Sequence, residues 1–213
     1  MTNERRQWPL LEFFFESAEV ATDLSMPADL LANGGDLFAD IPVVGLFFKG
    51  LNACHSVRDR ALAAKLVNVL QPFQDASRRH REKFKQRMLR DKDESRRIGE
   101  MLFLVLDRLT SLDKSQILGY LFIAYLNDEL TIVEISRMAQ AVDMCFAEDL
   151  GNLLSSEDGM GQSQEPWMRS LVPAGLAEPV GATMFDDMGK IYYVVTELGQ
   201  RLRDAYHSAQ ATC

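Results

Sequence analysis

Apolar residues recur along this chain at intervals of three and four for most of its length, and the period changes only near its end. From Leu10 to Leu24 the apolar positions Leu10, Leu11, Phe14, Phe15, Ala18 and Val20 predict an amphipathic helix. A short helical turn follows at Met26–Pro27, and Asn33–Gly34–Gly35–Asp36 is a stop signal. Asp40 can cap a second long helix in which Pro42 occupies the first turn, where its missing N–H leaves no bond unmade. Val43, Phe47, Leu51 and Cys54 then share one face, and the pattern runs on through Arg58–Asp59–Arg60 to Leu66 and Leu70, until Gln71–Pro72 interrupts it. A highly charged helix follows from about Ser77, with only Phe84, Met88 and Leu89 as anchors. The apolar run Met101–Leu106, flanked by Ile98 and Leu109, predicts a central helix. Ser111–Leu112–Asp113 opens another, running to about Leu126, with Ile117, Leu118, Leu121, Phe122 and Tyr125 inward. Thr131 with Glu134 three residues later is a capping box. The helix it opens carries Ile135, Met138, Ala139, Val142 and Phe146 on its buried face and turns Asp143 to water.

The last third reads differently. Residues 156–166 are small and polar and predict a flexible linker. Trp167 to Leu176 reads as a short helix made irregular by Pro173. Ala182–Phe185 and Lys190–Val195 predict a hairpin around Asp186–Asp187–Met188–Gly189. Thr196 caps a final helix to roughly Ala209, and Tyr192 and Tyr193 share a strand, one facing the core and the other outward. The expected fold is therefore mainly α, with a multi-helix body over residues 1–155 and a C-terminal segment, 167–213, that contains the hairpin and packs on the body.

Composition narrows the reading. The 213 residues are 47% hydrophobic and 25% charged, an ordinary balance for a folded domain, and the formal charge of −8 opposes whole-molecule attraction to nucleic acid or anionic lipid. The charge is uneven: residues 78–97 hold ten Lys/Arg against four Asp/Glu, so that segment is +6 and the remainder −14. Arg78, Arg79, Arg81, Lys83, Lys85 and Arg87 form the one concentrated cationic set, a surface for nucleic acid or for an acidic partner. The blander expectation is a solvated helix that pairs with the acidic remainder. The apolar stretch 41–57 is broken by Lys49, Asn52 and His55 and falls short of the roughly 20 apolar residues a bilayer span needs. Core packing is expected of it, and membrane action is the alternative. Glu12 and Glu16 break the first apolar run, so no signal peptide is read, and a cytoplasmic location is expected.

No chemistry is written into the spacing. Gly45–Leu46–Phe47–Phe48–Lys49–Gly50 lacks the Gly-Lys-Ser/Thr end of a phosphate loop. His55, His80 and His207 lie on separate elements, which gives no metal-ligand spacing. Cys54, Cys145 and Cys213 are odd in number and far apart, so neither a disulfide framework nor a thiolate site is indicated. Asp59 between Arg58 and Arg60 reads as an internal ion-pair hub. No catalytic residue, metal site, cofactor or small-molecule substrate is indicated.

Two resemblances add to this. Leu171–Gly175–Leu176, followed by Tyr192–Thr196 and Glu197–Leu198–Gly199, resembles the end of winged-helix domains of bacterial transcription regulators. The resemblance implies that the segment leading to Gly175–Leu176 closes a recognition helix and that the hairpin is a wing. Asp186 and Asp187 stand where a phosphate-contacting wing favours cations, and Arg169 is the lone cation of the recognition helix, so protein contact is expected over DNA. The longer pattern of Asp40–Ile41–Pro42, Arg58–Asp59–Arg60, Leu106–Leu109 and Leu118–Phe122 is similar to an uncharacterised bacterial family of helical proteins found near mobile elements and phage-related genes. The function expected is non-enzymatic: a regulatory or protein-interaction protein, in a phage-defence or mobile-element setting. Tyr192, Tyr193 and Trp167 are its expected partner contacts, with a protein partner or a second copy on the other side.

Overall fold

The computed structural model describes residues 57–75, 82, 86, 90–156, 161–181 and 190–212. The helices expected before residue 57, the cations of the basic segment from Arg78 to Arg87 and the hairpin tip at 182–189 lie outside the described residues. Among those described, the protein is mainly helical, with α1 (Val57–Asp75), α2 (Lys92–Arg108), α3 (Leu112–Leu126), α4 (Ile132–Met144), α5 (Ala147–Ser155), α6 (Pro166–Leu171) and α7 (Glu197–Thr212). A two-stranded antiparallel hairpin, β1 (Ala177–Gly181) with β2 (Ile191–Val195), precedes α7. The chain divides into two units, Met1–Ala63 with Arg78–Glu100, and Ala64–Ser77 with Met101–Cys213.

In the first unit, α2 starts because Asp91 accepts the Glu94 amide on Oδ1 at 2.9 Å, an N-cap reinforced by Asp93 and Glu94 in the first turn. Ile98 is buried.

In the second unit α3 is the centre. Ser111 caps it, taking the Asp113 amide at 3.1 Å, and from Leu121 to Leu126 every residue is buried, around the whole circumference. A helix apolar on every side belongs inside. Against it lie α4 and α7, and Tyr120 meets Tyr206 edge to face with ring centres 5.0 Å apart. Gly119 marks the crossing with α1: a Cβ there would stand 2.5 Å from the Val69 carbonyl oxygen, so only glycine lets the two backbones approach. The sequence placed the centre at Met101–Leu106 instead. Leu102, Val105, Leu106 and Leu109 are indeed buried, but Leu104 points the other way and is 55% exposed, because six successive residues go more than once around a helix. Helix α1 also continues past Pro72 to Asp75, since proline in a last turn removes a single ladder bond.

The Thr131–Glu134 capping box forms with both of its bonds, at 2.7 and 3.2 Å. The helix it opens does not reach Phe146. It ends at Met144, Cys145 is its extended C-cap, and α5 starts afresh.

Strand β1 covers 177–181, which the sequence analysis left out of the hairpin, with Ala177 opposite Val195 and Gly181 opposite Ile191, while the strand expected at 182–185 lies outside the described residues. Pro179 lies within this strand. It is tolerated because it faces Tyr193, whose N–H and C=O bond away from β1 to Ser163 at 2.8 and 3.0 Å, so no ladder bond is asked of the proline. Ser163, read as linker, is thereby bridged to β2.

Candidate functional site

Several side chains in the second unit serve the ends of other helices. Lys65 Nζ donates to the Leu106 carbonyl at 2.9 Å, near the end of α2, and Lys114 Nζ donates to the Asp143 carbonyl at 3.0 Å, near the end of α4. Helix α7 does the same for α5: Arg203 Nη1 donates to Ser156 Oγ at 3.1 Å, and His207 Nε2 lies 2.7 Å from the Leu154 carbonyl oxygen. Arg201 reaches the Glu129 carbonyl and, at 3.4 Å, the Glu134 carboxylate. The last carbonyls of a helix have no partner in their own ladder and carry partial negative charge, and Lys65 and Lys114 satisfy both needs. Thr131 and Arg201 together hold the Glu134 carboxyl below its usual range.

The junction of α4 and α5 gathers a cluster of titratable side chains. Arg108 Nε pairs with Asp143 Oδ2 at 3.0 Å, and the Asp143 side chain is only 18% exposed; the sequence had turned it to water. The correction is geometric: at the last turn of α4 it faces the end of α2. Lys114 is 3% exposed, and burial pushes its pKa down against the opposing pull of Asp143 and Cys145. The Cys145 thiol is buried and pushed up to about 11 by desolvation, with the Lys114 charge working against the rise and Asp149 adding to it. A thiol in that state stays protonated at neutral pH and is a poor nucleophile. Asp149 accepts from Ser170 Oγ, which ties α5 to α6. The cluster is thus built to join helix ends, and a packed core thiol is the right description of Cys145. Among the described residues no three His, Cys, Asp or Glu side chains are grouped to hold a metal, and no helix is long and apolar enough to cross a membrane.

Several large apolar residues of the elements that meet here are exposed. Phe146 is 67% exposed, Met144 60%, Leu104 55% and Leu112 47%. The two bonds to Asp143 tie the end of α2 and the start of α3 to the end of α4, and these exposed residues lie close to them in sequence: Leu104 one turn before Arg108, Leu112 two residues before Lys114, and Met144 and Phe146 just after Asp143. Sequence reasoning missed Phe146 by laying it along the buried side of α4. The available signal was Glu148–Asp149, a pair of acids suited to the first turn of a new helix.

Of the residues singled out from sequence, Tyr192 and Tyr193 lie in β2 and Trp167 in α6, which packs against both strands. All three are half-buried, so neither tyrosine points fully outward. Arg78, Arg79, Arg81, Lys83, Lys85 and Arg87, like the apolar stretch before Val57, lie outside the described residues, while Glu82 and Gln86 between those cations are helical and exposed.

Comparison of the chain with family models, with curated proteins and with solved structures finds no match.

Proposed function

We propose that this chain is a non-enzymatic protein-interaction protein of the regulatory kind, and that it meets its partner through the exposed apolar residues Leu104, Leu112, Met144 and Phe146. The observation that carries the reading is Phe146. It occupies the N-cap position of α5, where Ser, Thr, Asp or Asn would accept an amide, and it makes no side-chain capping bond while standing two-thirds in solvent. An exposed phenylalanine at a capping position, with other exposed apolar residues close to it in sequence, supports contact with another molecule. The protonated thiol of Cys145 and the structural use of Lys114 support a role without bond-making. A setting in phage defence or mobile-element carriage rests on the sequence resemblance alone.

Affinity capture of the tagged full chain from its native host, followed by mass spectrometry, tests the reading. A partner held by the wild type and released by Phe146→Asp is expected; capture that is indifferent to the substitution removes Phe146 from the function. The ten cations of residues 78–97 support a second reading, nucleic-acid binding, for which the measurement is salt-dependent retention on heparin, abolished by reversing Arg79, Lys83 and Arg87.

A further inference from the structure

We draw no further inference here: the strongest candidate, the exposed apolar residues Leu104, Leu112, Met144 and Phe146 near the ends of α2, α3 and α4, carries none beyond the reading above, because nothing in the structure shows what covers them.

Discussion

Helices α7 and α5 start from Thr196 and from Phe146, and the two beginnings are built on opposite terms. At the start of α7 every residue type is accounted for by the fold. Gly175 adopts a φ of +72°, a left-handed conformation open to glycine. The Thr196 hydroxyl gives its proton to the Gly175 carbonyl at 2.6 Å and accepts the Gly199 amide at 3.2 Å, while the Thr196 amide donates to Leu176 at 3.0 Å. Gly199 has no side chain because a Cβ would stand 2.3 Å from the Leu176 carbonyl oxygen. The segment from Gly175 to Gly199 is closed on itself. At the start of α5 the junction is held from outside, by Lys114 and Arg108, and its own residues Met144 and Phe146 are spent on solvent. Where residue choice serves folding, sequence and structure agree. At the start of α5 they part, and Met144 and Phe146 stand exposed where the spacing of α4 runs on.

This contrast can be broken at several points. Gly199→Ala should be the most damaging, about 3 kcal/mol or more by urea denaturation, because the new methyl meets rigid backbone and the helix must back away from Leu176. A loss below about 1 kcal/mol would mean that the approach is looser than described.

At the other junction the expected signature is a pH dependence. Cys145 keeps its proton to about 11 when folded, against about 9 for an ordinary thiol. Its contribution, about 2–3 kcal/mol from that difference, is complete below pH 9 and is lost as pH rises toward 11. Lys114 acts in the opposite sense, since its folded pKa is depressed and stability gains as pH rises toward the unfolded value. The thiol is expected to dominate, so that stability falls between pH 9 and 11 and Cys145→Ala flattens or reverses the fall. An unchanged alkaline profile in Cys145→Ala would show that the thiol is not desolvated.

Thr196→Ala removes both the cap and the bond to Gly175 and should lower stability by about 1–2 kcal/mol. Phe146→Asp is expected to do the reverse, raising stability by about 0.5–1 kcal/mol in the same assay. If it destabilised the chain instead, the exposed phenylalanine would have a packing role and the comparison between the two junctions would collapse.

Much of the fold was legible because it is encoded by local, polar signals. Ser111, Thr131 with Glu134, and Thr196 each announced a helix start, since a hydroxyl that completes a first turn acts within three residues of sequence. Leu176 and Gly199 were visible as a pattern, and the structure supplies the reason, a single carbonyl oxygen between them. What escaped was non-local. Asp143 could be placed against Arg108 only by knowing that the ends of α2 and α4 meet. The pairing of Ala177–Gly181 escaped because a proline in a strand is tolerated only where its neighbour bonds elsewhere, which here depends on Ser163, thirty residues from Tyr193. The break at Cys145–Phe146 was hidden by an apolar spacing that continues across it. Phe146 was therefore the least legible candidate, because it obeys the period of a helix to which it does not belong.

Ser156 and Ser163 are both fastened, the first to Arg203 on α7 and the second to Tyr193 on β2. Whatever chain runs between them starts and finishes at fixed posts, and lengthening such a closed span costs only about 0.6 kcal/mol for each doubling. A fluorescent reporter or an epitope spliced into that interval would leave the three helices beside it in register, and so offers a handle for watching the protein at work without touching either of its junctions.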